Sequence, residues 1–117
     1  MAIKPVETIE VTQAIWTTAK RLNSGVDIIV QKAKEYAQAE RNYRMALSVK
    51  IVELKTQRMP VSIINDVARG SENVVDLKFK RDLAQEVYKA SRDKLNALSN
   101  ELSAMQSILR VQVNIEK

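Results

Sequence analysis

Apolar residues recur at spacings of three and four through Val11, Ile15, Ala19, Leu22, Val26, Ile29, Ala33, Tyr36, Tyr43, Leu47, Ile51 and Leu54, and only Glu40 interrupts the row. That period places one apolar stripe along a helix of about residues 8–57. The phase runs through Asn23-Ser24-Gly25 without a slip, which predicts continuity there. A glycine inside a helix costs roughly 1 kcal/mol against alanine without forbidding the helix. A kink at Gly25 is the competing reading.

A second row, Val74, Leu77, Arg81, Ala84, Tyr88, Ser91, Leu95, Leu98, Leu102, Met105 and Leu109, keeps a four-three alternation and reads as a heptad seam on a helix of about residues 72–110. Ser71 is a suitable N-cap, and Glu72 follows it at the positive end of the helix dipole. Beyond the seam, Val111, Val113 and Ile115 alternate with Gln112 and Asn114, which predicts a short extended tail. Between the rows, about residues 60–69 read as a short helix, with Pro60 in its first turn and Gly70 as a left-handed stop. Its Val61, Ile64, Val67 and Ala68 are expected to cover a second stripe on the following helix, formed by Val75, Phe79, Leu83 and Val87.

These elements predict an all-α fold: a long, coiled-coil-like antiparallel helical hairpin with a short helix at the turn, one helical domain over residues 1–117. About 40 residues of helix would reach roughly 60 Å. If Leu54 faces Val74, Glu40 falls near Tyr88 and Arg44 near Ala84, forming a polar layer at mid-length that fixes register. Two helices burying one stripe each leave the hairpin short of a core. The expectation is therefore association of two hairpins into a four-helix bundle, a dimer, in preference to a third fold-back at Gly25.

The 117 residues include no Cys, no His and only two Gly. Thiolate and imidazole metal sites, a cysteine nucleophile and phosphate-cradling glycine loops are thereby excluded, so neither an enzyme nor a cofactor is expected. The Met-Ala-Ile-Lys-Pro start lacks the apolar run of a leader, and the longest uncharged stretch is the nine residues Val11 to Ala19. No membrane partner is expected.

With 19 Lys+Arg against 14 Asp+Glu the net charge is +5, which favours nucleic acid or an acidic protein surface as partner. The turn end gathers Lys50, Lys55, Arg58, Arg69, Lys78, Lys80 and Arg81 against Glu53, Asp66, Glu72 and Asp76. Lys55, Arg58, Arg69, Lys78, Lys80 and Arg81 are the candidate contacts, since clustered cations neutralise phosphates without reading bases. Along the solvent side, Asp76 with Lys80, Glu40 with Arg44, Lys78 with Asp82 and Lys89 with Asp93 are expected to pair. Tyr36, Tyr43 and Tyr88 fall on the seams and read as core residues with reaching hydroxyls. Trp16 either covers the far end of the bundle or marks an interface.

The run Ala39-Glu40-Arg41-Asn42-Tyr43-Arg44-Met45-Ala46-Leu47, then Lys50-Ile51, Leu54, Met59-Pro60-Val61, Ile64 and Asp66-Val67-Ala68-Arg69-Gly70, resembles small helical proteins encoded by phages and prophages of Gram-positive bacteria. The likeness continues through Leu77-Lys78-Phe79-Lys80-Arg81-Asp82-Leu83-Ala84 and Tyr88-Lys89-Ala90 to Ile108-Leu109, covering about residues 34–109. It implies a setting among early genes for replication and recombination, in the cytoplasm of an infected or lysogenic host. The function expected is an accessory in phage DNA metabolism acting through protein or nucleic-acid contacts. The alternatives are an inhibitor of a host protein such as a defence nuclease, an anti-CRISPR-like steric blocker, and a virion or assembly component.

Overall fold

A computed structural model of the chain describes residues 7–116; the opening Met1-Ala2-Ile3-Lys4-Pro5, with its expected lack of a leader, lies outside them. Three helices follow in order: α1, Thr8–Thr56; α2, Val61–Arg69; and α3, Glu72–Glu116. The described residues contain no strand, and α1 packs against α3 with α2 between them, an all-α hairpin. Among them no helix is long and apolar enough to cross a membrane. The extended tail expected at Val111–Ile115 does not form. An isolated strand there has no neighbour to take its backbone groups, whereas continuing α3 satisfies them within the helix.

Contacts divide the chain into two compact units, one of residues up to Ile29 together with those from Ala90 on, the other Val30–Lys89. In the first, Val11 and Leu98 are buried, and Thr18, 3 % exposed, turns its hydroxyl toward the Met105 sulfur 3.6 Å away. In the second, Leu54, Ile64 and Ala68 form a buried cluster on which Leu47, Ile51 and Met59 pack. Val74 is also buried there.

All eleven α3 seam positions are buried or half-buried, so the heptad reading of that helix holds. On α1 the helix is unbroken through Asn23-Ser24-Gly25. The seam nevertheless departs from the expected row, because Val26 is 47 % exposed while Gly25 is half-buried. Val11, Ile15, Thr18, Leu22, Gly25 and Ile29 make a row of four-three steps, and small size at position 25 outweighs the greater hydrophobicity of its neighbour. A β-carbon on Gly25 would lie 2.6 Å from Leu95 Cδ1.

The end of α1 is closed by a pair of reversed hydrogen bonds. The Met59 N–H donates to the Leu54 carbonyl (3.1 Å) and the Arg58 N–H to the Lys55 carbonyl (3.0 Å). This is a Schellman closure with its left-handed residue at Arg58, φ 60°, and with Met59 packed back on the Leu54 cluster. The left-handed stop expected at Gly70 is absent: Gly70 has φ −88° and ψ −5°. There the chain stays right-handed from α2 into α3, and both the Ser71 N–H (3.3 Å) and the Ser71 hydroxyl (2.7 Å) donate to the Ala68 carbonyl. Ser71 also accepts from the Val75 N–H (2.9 Å), as an N-cap carbonyl does.

Because α2 claims Leu54, α3 meets α1 in a different register from the one expected. Tyr88 stacks on Tyr36 (centroids 6.3 Å apart, planes at 29°) and is not the partner of Glu40. Arg81 takes that place, reaching Glu40 at 3.3 Å and lying 4.6 Å from the Tyr43 ring centroid. The polar layer exists, one to two turns away from the predicted pairing. Nor does α2 cover the Phe79 stripe. Its buried residues Ile64 and Ala68 face Leu54, while Val61 is 81 % and Phe79 67 % exposed.

Candidate binding surface

Of the six candidate cations, Lys55, Arg58, Arg69, Lys78 and Lys80 are exposed, and among the described residues none of the five is in an ion pair within 4.0 Å. Three of them stand where helices end: Lys55 in the last turn of α1, Arg58 in the closure after it and Arg69 at the end of α2. Lys78 and Lys80 flank the α3 seam on its second and third turns. Cations near helix C-termini also offset the carbonyl ends of the helix dipoles. The expected Asp76–Lys80 and Lys78–Asp82 pairs are not among the ion pairs formed in the described residues; Glu40–Arg44 is, at 2.6 Å.

Arg81 does not belong with the other five. Its side chain is 22 % exposed and its guanidinium is shared between Asp82 (2.9 Å), Glu40 (3.3 Å) and the Tyr43 ring. The hydrogen bond to Asp82 is the main influence raising its pKa further, with the Asp82 and Glu40 charges adding to it against partial burial. Glu40 is held below its ordinary pKa chiefly by the hydrogen bond from Arg44, opposed by desolvation and reinforced by the Arg81 charge. Arg81 is a register residue of the hairpin. The heptad spacing had already put it on the seam, and that was the signal against counting it as a contact.

An open groove of about 650 Å³ runs beside Met45, Val49 and Val74 and is lined by Glu53, Glu72 and Asp76, with Lys50 the one cation there, 3.4 Å from Glu53. None of the six candidate cations lines it. Asp66, three residues before Arg69 on α2, does not line it.

The first unit carries a groove of the opposite sign. About 420 Å³ in volume, it has Ile28, Leu95 and Leu98 in its wall and Lys20, Arg21 and Lys94 around it. These three cations escape sequence reasoning because they come together only once residues 20–28 are known to face residues 91–98. Trp16 is 65 % exposed, with the Lys20 ammonium 5.1 Å from its ring centroid, so it does not cover a core within the chain.

No known family, curated protein or solved structure matches the chain. The functional reading therefore rests on the residues themselves.

Proposed function

We propose that this is a non-catalytic, phage-derived helical binding protein, an accessory in phage DNA replication or recombination. In this reading it works as a homo-oligomer and meets nucleic acid through Lys55, Arg58, Arg69, Lys78 and Lys80. The observation that carries the reading is the exposure of these five cations without ion-pair partners among the described residues, while Glu53, Glu72 and Asp76 line a groove that none of the five enters. Arg58 adds to it: a left-handed backbone disfavours any residue with a β-carbon by roughly 1–2 kcal/mol, and the residue held there is a long cation aimed outward. Contacts of this type neutralise phosphates, so affinity is insensitive to base sequence and falls steeply with salt.

The test is fluorescence anisotropy with labelled single- and double-stranded DNA at about 50 and 200 mM salt. If all five cations reach phosphates, affinity drops by roughly two orders of magnitude for single strands and nearly three for duplex across that range, and Lys78→Glu with Lys80→Glu reduces both affinity and salt slope. No binding at 50 mM salt, or binding that ignores the Lys78 and Lys80 replacements, overturns the reading. A host protein retained from extract after nuclease treatment, with no DNA binding, would point instead to an inhibitor.

A further inference from the structure

The basic groove of the first unit has a floor as well as a rim. Leu98, 7 % exposed, and half-buried Leu95 lie deep in it, while Lys20, Arg21, Ile28 and Lys94 stand exposed around them. Gly25 lines it without adding a side chain, and about 420 Å³ stays open. Small-molecule sites are concavities of about 300–1,000 Å³ with an apolar lining and a few polar groups that fix orientation. This groove agrees in size and in make-up.

Every charged residue in its lining is basic. Among the described residues Arg21 and Lys94 form no ion pair within 4.0 Å, and Lys20 rests over the Trp16 ring. Asp27, Asp93 and Glu101, the acids of the same stretches, do not line it. The three cations are also divided between its ends. Thr18 meets Met105 and Gly25 meets Leu95, so the helices run antiparallel here, with Lys20 and Arg21 toward one end and Lys94 toward the other. Side chains lean toward the N-terminus of their own helix, which in an antiparallel pair carries these cations apart. From Lys20 to Ile28 the helix advances about 12 Å.

We propose that this groove binds a small amphiphilic dianion, an apolar body of about that length with an acidic group at each end. Lys20 and Arg21 take one end, Lys94 the other, and the body lies against Ile28, Leu95 and Leu98. Charge complementarity selects this occupant. A neutral apolar ligand leaves the three cations unanswered, and an acid without an apolar body leaves the floor in water. The site shares no residue with the five cations of the proposed function and does not depend on that reading.

Isothermal titration calorimetry of the full chain at low salt, with decanedioate, decanoate and the neutral decanediol, tests it. An exposed ion pair is worth roughly threefold in affinity, so decanedioate should bind about threefold more tightly than decanoate and about tenfold more tightly than decanediol. Lys94→Glu should remove the advantage of the diacid over the monoacid while keeping its helical circular dichroism. Arg110→Glu, the same charge change in the same unit but outside the groove, should retain it. Should Lys94→Glu lose its helicity, Lys94→Gln removes the cation without adding an acid and carries the same expectation, and Lys94→Arg should keep the advantage.

Trp16, the one tryptophan, gives a second readout, since decanedioate should change its emission by drawing Lys20 from the ring. Equal affinities for the three probes, or no binding of decanedioate at millimolar concentration, would overturn the proposal. An oligonucleotide that shifts Trp16 emission where decanedioate does not would put nucleic acid in the groove instead.

Discussion

Gly25 and Leu95 approach so closely that a β-carbon on the glycine would sit 2.6 Å from Leu95 Cδ1. Gly25 serves close packing and not backbone freedom, since no glycine among the described residues has a positive φ. Alanine at position 25 gains about 1 kcal/mol of helix propensity. Moving the Leu95 terminus aside costs a comparable amount. Gly25→Ala should therefore lie within about 1 kcal/mol of the wild type, whereas in a Leu95→Ala background the same change should stabilise by about 1 kcal/mol. Urea denaturation of the four proteins measures the coupling; strict additivity would mean that the two residues do not touch.

Glu40 is held below its ordinary pKa, first by Arg44 and then by Arg81. The unfolded chain, whose glutamates titrate near ~4.3, consequently takes up this proton before the folded chain does. The stabilisation is complete above about pH 5 and is lost as pH falls through the folded pKa. Between about pH 5 and 3 the wild type should lose stability more steeply than Glu40→Gln, as followed by urea midpoints. Parallel curves would contradict the lowered pKa of Glu40.

Arg58 holds φ 60° in the closure of α1. Glycine takes that conformation without the steric cost, so Arg58→Gly should stabilise the chain by about 1 kcal/mol in thermal or urea denaturation. In the proposed function the same replacement weakens DNA binding. Opposite signs in the two measurements are the expected signature, and a loss of stability would mean that the arginine side chain supports the fold.

Ile64, 2 % exposed between Leu54 and Ala68, latches α2. Ile64→Ala should cost about 2–4 kcal/mol, as cavity-forming core substitutions do. Val61→Ala, at 81 % exposure, should stay within about 0.5 kcal/mol. Similar costs for the two would contradict the orientation of the short helix.

The α3 seam was legible in full because its apolar period matched the period of burial. On α1 the reading missed Val26 and Gly25, since a pattern of hydrophobicity carries no measure of how near another helix comes. Register escaped for a related reason. Leu54 looks equally able to face Val74 or α2, and only the Schellman closure at Arg58, which turns Met59 and α2 back onto Leu54, decides between them. Among the site residues, the cations outside the heptad row, Lys55, Arg58, Arg69, Lys78 and Lys80, are exposed. Arg81, inside the row, is taken up between the helices.

The claim on which the rest depends is the facing of α1 and α3 set by α2. With no native cysteine to interfere, paired cysteines at positions 36 and 88 and, separately, 40 and 88 can be treated with a short bifunctional thiol cross-linker. Intramolecular linkage should be faster for the 36/88 pair, whose native tyrosines stack at 6.3 Å. Faster linkage of 40/88 would restore the register expected from periodicity alone and contradict the one described.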